Sequence, residues 1–108
     1  MTEKQIYNRN KKLLKQYLKE KNEKYVLRIS KIFFREYSEF EKRIGNYKIC
    51  LYLTYNEFKL KIFDLQNNYV FISKNTKIHY KETFEIYSVF NYIYDFISKF
   101  ENIFIQGI

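Results

Sequence analysis

The sequence predicts an α+β fold in which an N-terminal helical pair, a four-stranded antiparallel meander and a C-terminal amphipathic helix follow one another. Apolar residues recur with a helical period in the N-terminal part and again near the C-terminus. Between these parts, over about residues 47–80, apolar and polar residues alternate with the period of two that strands require. A chain of 108 residues has the size of one domain, so we expect residues 1–108 to form a single domain.

The first predicted helix covers about residues 4–20 and the second covers about residues 25–44. On a helical wheel each segment gathers its apolar side chains on one face. The two apolar faces are out of phase, and the shift falls in the polar stretch around Asn22, so we expect a break there. Gly45 is the expected C-terminal stop of the second helix.

Three breaks that contain Asn divide the following region into four predicted strands joined by two-residue hairpin loops: Tyr55-Asn56, Asn67-Asn68 and Lys74-Asn75. Such loops would pair Leu53 with Phe58, and the fourth strand, about Thr76 to Tyr80, with the third. They would also place one apolar set on a single face: Ile49, Leu51, Leu53, Phe58, Leu60, Ile62, Tyr69, Phe71, Ile78 and Tyr80.

The last predicted helix covers about residues 84–104, and its apolar stripe is expected to pack on the apolar face of the sheet. The opposite face combines a basic part with an apolar part made by Phe63, Leu65, Val70 and Ile72. The N-terminal helical pair is the expected cover of this apolar part. If the part is uncovered, self-association through these four residues is expected.

No catalytic, cofactor or metal site is predicted, and we expect a protein that is not an enzyme. His79 and Cys50 are the only His and Cys, too few for a zinc ligand set, and no pairing of a nucleophile with a base is indicated. With two glycines, the chain offers no glycine-rich loop for a phosphate. Glu57 and Lys59 have the spacing of half a metal-dependent nuclease site, but the sequence indicates no second acidic ligand.

Basic residues concentrate in the N-terminal part, where residues 1–45 carry 13 Lys and Arg against 6 Glu, while residues 46–108 carry 7 against 6 acidic residues. The composition favours residues with A/T-rich codons, such as Lys, Asn, Ile, Phe and Tyr, and this bias accounts for part of the net charge of +8. The asymmetry still indicates an electrostatic surface. The candidate residues for contact with a protein or a nucleic acid are Lys4, Lys11, Lys15, Lys19, Arg28, Lys31, Arg35, Lys48, Tyr52, Lys59 and Lys61.

We interpret the chain as a small non-catalytic binding protein that docks on a macromolecular target, with a protein favoured over a nucleic acid. A phage or mobile-element protein that inhibits a host nuclease or defence complex fits this interpretation. Nucleic-acid binding through basic helix faces is the alternative. The order of helical pair, strands and helix resembles that of RelE/ParE-type toxins, and the resemblance implies a toxin-like ribonuclease as a further alternative. The sequence has no apolar run typical of a membrane helix or signal peptide, so we expect no membrane partner and a cytoplasmic location, including the cytoplasm of a host.

Overall fold

The computed structural model describes residues 1–73, 75–78 and 81–102. In these ranges the elements are α1 (Glu3–Glu20), β1 (Val26–Ile32), β2 (Arg35–Ile44), β3 (Tyr47–Leu53), β4 (Glu57–Phe63), β5 (Tyr69–Ile72), β6 (Thr76–Lys77) and α2 (Thr83–Phe100). The strands form one antiparallel sheet in the order β1-β2-β3-β4-β5, and β6 pairs with β4. The predicted α+β class, with a helix before and a helix after an antiparallel sheet, is confirmed.

Helix α1 has well-defined signals at both ends. Thr2 and Gln5 form a capping box at its start, in which each side chain bonds the backbone N–H of the other residue. At its end Asn22 has a φ of 57°, and the N–H of Glu23 donates to the carbonyl of Leu18 at 2.9 Å. This is a Schellman ending with Asn in the place that Gly usually takes. The predicted helix 4–20 and the break near Asn22 are therefore confirmed.

The predicted second helix, 25–44, is wrong, because β1 and β2 form an antiparallel hairpin there. The segment is rich in β-branched and aromatic residues, which favour strands. Ser38 and Phe40 on β2 are buried on the same face, and the Ser38 hydroxyl forms a buried hydrogen bond with the hydroxyl of Tyr7 on α1. The two-residue loop, Phe33-Phe34, contains none of the Gly, Asn or Asp residues typical of hairpin loops, so the sequence shows no turn signal.

The predicted pairing of β3 with β4 is confirmed, since Leu53 lies opposite Phe58 and Leu51 opposite Leu60. The β4–β5 connection is longer than the predicted loop at Asn67-Asn68. There the Asp64 carboxylate accepts from the N–H groups of Gln66 and Asn68, each at 2.9 Å.

The predicted partner of the fourth strand is wrong. β6 pairs with β4 and not with β5, and Thr76 lies opposite Phe58. A register shift between Ile62 and Phe63 also changes the face that Tyr69 occupies, so Tyr69 is exposed instead of joining the apolar set. Tyr80 lies outside the described residues.

Both helices pack on the same face of the sheet. The ring of Phe90 on α2 lies 5.1 Å from that of Phe58 on β4 and 5.5 Å from that of Tyr17 on α1, measured between centroids. The Tyr17 hydroxyl also donates to Asn91 at 2.6 Å, which ties the helices together. The prediction that the N-terminal helical part covers the other face is therefore wrong, because α1 lies beside α2.

Helix α2 begins at Thr83, close to the predicted start of 84–104, and the residues beyond Asn102 lie outside the described part. Its packing on the sheet is confirmed by the stacked rings of Phe71 and Phe96, whose centroids are 4.7 Å apart. Within the described residues, neither helix combines the length and the apolar character that crossing a membrane needs.

The loop of the β1–β2 hairpin offers a test of backbone strain. Phe33 and Phe34 have φ values of 52° and 66°, a left-handed conformation that costs a residue with a side chain roughly 1–2 kcal/mol. Asn-Gly is the sequence this type I′ loop prefers. We expect Phe33→Asn combined with Phe34→Gly to raise the free energy of unfolding by about 1–2 kcal/mol in urea denaturation at low protein concentration.

Gly45 provides the matched control for this test, because it has a φ of 57° in the next hairpin loop. We expect Gly45→Ala to lower the free energy of unfolding by about 1 kcal/mol, the opposite sign. If the Asn-Gly loop left stability unchanged or lowered it, the two phenylalanines would be stabilising the isolated chain through contacts at the tip.

Candidate docking surface on the sheet

The face of the sheet opposite the helices, which we call the helix-free face, carries a mixture of basic, acidic and aromatic side chains. The strand registers place on it Arg28, Arg35, Tyr37, Glu39, Glu41, Arg43, Lys48, Cys50, Tyr52, Glu57, Lys59, Lys61 and Phe63. No described helix packs on this face. Its basic residues outnumber its carboxylates, so it attracts a partner of net negative charge.

Tyr52 lies on the helix-free face between Glu39 of β2 and Lys59 of β4, close to the β3–β4 turn. The ammonium nitrogens of Lys61 and Lys59 lie 4.2 and 4.9 Å from the centroid of its ring, and the ring of Tyr37 lies 5.4 Å away. Burial, followed by the charge of neighbouring acidic groups, raises the pKa of Tyr52. Like any tyrosine hydroxyl at neutral pH, it is protonated and can donate a hydrogen bond to a partner.

An open groove of about 580 Å³ runs between the hairpin tip and the β3–β4 turn. Three tyrosines line it, namely Tyr37, Tyr52 and Tyr55, and the Arg35 guanidinium lies 5.4 Å from the ring of Tyr55. Tyrosine and arginine are the residue types that dominate binding energy in protein interfaces. The groove can therefore receive an apolar or aromatic side chain of a partner.

A column of carboxylates on β2 divides the basic residues of this face. Glu39 lies opposite Arg28 on one side and Tyr52 on the other, and Glu41 lies between β1 and Cys50. The guanidinium of Arg28 forms an ion pair with Glu41 at 3.4 Å. Glu39 and Glu41 thus form a stripe of carboxylates that separates Arg28, the one basic residue of β1 on this face, from Lys59 and Lys61 of β4.

Cys50 lies buried beneath this column, and its thiol lies 3.3 Å from a carboxylate oxygen of Glu39. Burial, then the hydrogen bond to Glu39, raises the pKa of the Cys50 thiol to about 12. Within the described ranges, the atoms of Glu39, Glu41 and Cys50 form a group within 4.8 Å that has ligand types suited to a metal ion. A protonated thiol that donates to Glu39 accounts for this closeness, so the group carries no metal assignment.

The structure divides the predicted contact residues between two sides of the sheet. The helix-free face brings together Arg28, Lys48, Tyr52, Lys59 and Lys61. Arg35 lies at the end of this face, where its guanidinium forms an ion pair with Glu3 of α1 at 3.5 Å. The other side holds Lys31, on the helix-facing register of β1, and the α1 residues Lys4, Lys11, Lys15 and Lys19. One flat partner cannot contact both groups.

Sequence reasoning missed Tyr37, Glu39 and Arg43, which belong to β2. The sequence of β2 gives little signal for them, because its helix-facing positions include Glu36, Ser38 and Lys42 and so show no apolar alternation. Glu57 and Lys59, which have the spacing of half a nuclease site, both lie on β4. In the described part of the chain, no other His, Cys, Asp or Glu residues group with Glu57 as metal ligands. His79 lies outside the described residues.

The apolar residues predicted for self-association form the far end of the helix-free face. Leu65, Val70 and Ile72 are exposed, and Phe63 is partly covered by Tyr69, whose ring lies 4.7 Å from it. The ammonium of Lys48 lies 4.8 Å from the ring of Phe63. No described helix covers this end, and self-association through it stays a prediction.

Comparisons with known proteins detected no similarity to this chain. Neither the scan against protein-family models nor the searches of curated proteins and of solved structures found a match.

The raised pKa of Cys50 predicts an inert thiol. A shift of the pKa from 9.0 to about 12 leaves little thiolate at pH 8, because this pH lies far below the pKa of the folded protein. The same shift stabilises the folded chain below pH 9, and this stabilisation is lost as the pH rises toward 12. We expect the native thiol to react with a disulfide reagent at pH 8 roughly a hundredfold more slowly, or slower still, than the unfolded chain.

Glu39→Gln tests the contribution of Glu39, which comes second to burial, because it keeps a hydrogen-bond acceptor but removes the charge. We expect this variant to react faster than the unchanged protein while keeping its circular dichroism spectrum. A native Cys50 that reacts as fast as the unfolded chain would instead be available as a nucleophile.

Proposed function

We propose that this protein is a non-catalytic binding module that docks on another protein through its helix-free face. The observation that carries the proposal is the groove lined by Tyr37, Tyr52 and Tyr55 within a surface of net positive charge. The groove supplies an anchor for a partner side chain, and the surrounding charges set orientation and rate of association. Docking over a working surface of the target would make the protein an inhibitor.

The stripe of carboxylates favours a protein over a nucleic acid as the partner. A phosphate backbone presents negative charge at every step, so a strand that crosses from Lys59 to Arg28 would meet Glu39 between them. A protein surface can match an alternating pattern of charges. The ring of Tyr52 is also flanked by two lysine side chains, which a stacked base would have to displace.

The test compares two double variants that change the net charge equally. Lys59→Glu with Lys61→Glu alters the helix-free face, whereas Lys12→Glu with Lys15→Glu alters exposed positions on α1. The proteins are used for affinity capture from nuclease-treated extract of the cells that encode the chain, and the captured protein is then purified for a binding titration. We expect the α1 variant to bind like the unchanged protein and the face variant to bind at least about tenfold more weakly.

Equal losses for both variants would show that binding follows net charge and would overturn the assignment of the face. Direct nucleic-acid binding is tested beside this with labelled single- and double-stranded DNA and RNA at about 50 and 200 mM salt. Submicromolar affinity that falls steeply between the two salt concentrations, and that the face variant loses, would replace the protein partner by a nucleic acid. Melting curves of both variants confirm that they are folded.

A further inference from the structure

Strand β1 is an open edge of the sheet with apolar side chains along its length. Val26, Ile29 and Ile32 are all exposed, and so are Phe33 and Phe34 at the hairpin tip, at 91% and 101%. A regular seven-residue edge with exposed apolar residues is a template for pairing with another strand. Described helices leave this edge uncovered, and the charged residues on it are limited to Arg28 and Lys31.

The hairpin loop determines which backbone groups of β1 are free. In a two-residue loop the closing pair, here Ile32 and Arg35, bonds across the hairpin, so alternate residues of β1 point their N–H and C=O groups toward β2. The groups of Leu27, Ile29 and Lys31 therefore point away from the sheet. These three residues are the donors and acceptors that an added strand would use.

The sequence of β1 matches itself when a second copy pairs in antiparallel orientation about Ile29. Ile29 then lies opposite Ile29 of the second copy, and Leu27 opposite Lys31 of the second copy. The same register sets Arg28 opposite Ser30 and Val26 opposite Ile32, so no like charges face each other. Centring the pair on Arg28 instead would place two arginines directly opposite, which is destabilising.

This register also gives the hairpin tip a place to pack. It brings Phe34, which lies on the helix side beside Lys31, next to Lys24 and Tyr25 of the second copy. On the helix side of that position lies a cleft of about 320 Å³, whose apolar walls are Leu18, Leu27 and Phe40 together with Tyr25. An aromatic ring in this cleft would bury surface that is exposed in the isolated chain.

The opposite edge of the sheet is less suited to pairing. β5 has four residues, its register with β4 shifts between Ile62 and Phe63, and β6 pairs separately with β4. Short strands and bulges are the features that prevent edge pairing. The self-complementary edge is therefore β1.

From these observations we propose that two copies of the chain form a two-fold symmetric dimer by antiparallel pairing of β1 with β1 about Ile29. About six backbone hydrogen bonds, two for each of three residue pairs, extend the two sheets into one. The helix-free faces of both copies then lie side by side and form one continuous surface. The dimer does not depend on the proposed docking function, because it is formed by the backbone of the β1 edge. The two sites meet at the hairpin tip, where Ile32 and Phe33 also line the docking groove.

The test is sedimentation velocity over roughly 1 to 100 µM protein at about 50 and 500 mM salt. The two copies each carry a net charge of +8, so we expect dimerisation to strengthen as salt screens their repulsion. Ile29→Lys places like charges opposite each other on the two-fold axis and should leave a monomer throughout this range. Ile72→Lys on the other edge is the matched control, since Ile29 and Ile72 are 48% and 49% exposed.

A second variant reports the register. Ser30→Glu would face Arg28 of the second copy at two symmetric positions, and we expect it to tighten the dimer by roughly fivefold at low salt. Amide hydrogen exchange should show protection of Leu27, Ile29 and Lys31 that increases with protein concentration. A chain that stays monomeric at 100 µM and high salt, or a dimer that Ile72→Lys disrupts and Ile29→Lys does not, would overturn the proposal.

Discussion

The packing of Tyr17, Phe58 and Phe90 is the contact on which the rest of the structure depends, because it joins α1, β4 and α2 in one core. Apart from Cys50 and Phe63, the apolar residues of β3 and β4 point to this side, and both helices pack over it. In the described residues no helix is left for the opposite side, whose side chains must therefore tolerate water. A face of Lys, Arg, Glu and Tyr meets that requirement and remains open to a partner.

The sequence allows α1, α2, β3 and β4 to be predicted because their periods are unambiguous. In residues 25–44 the apolar spacing fits a helix, yet the same residues form β1 and β2. An edge strand and a half-open face leave apolar side chains exposed on both sides, so the alternation of a half-buried strand is blurred. Lys59 and Tyr52 could be placed on one face from sequence. Tyr37 and Glu39 could not, because their position depends on β2 lying beside β3.

Charge on the helix-free face is constrained by what lies beneath it. Cys50 is buried at the level of Glu39 and Glu41, and its protonated thiol satisfies part of the hydrogen-bonding capacity of Glu39. Glu39 and Glu41 are therefore accommodated between the basic residues of this face, since Cys50 donates to Glu39 and Arg28 forms an ion pair with Glu41. The helix-free face therefore has a net positive charge and also a specific arrangement of positive and negative groups. Such an arrangement can favour a complementary protein surface over a uniform polyanion.

Coding bias does not explain why phenylalanine occupies both positions of the β1–β2 hairpin tip. A/T-rich codons account for many phenylalanines, but they supply asparagine equally, and the chain has 10 of them. Asparagine adopts positive φ at Asn22 and Asn67, where it serves turns at little cost. At Phe33 and Phe34 the chain instead has two exposed aromatic rings in the same strained conformation. Composition cannot explain that choice, and strain retained at an exposed site points to a contact made outside the isolated chain.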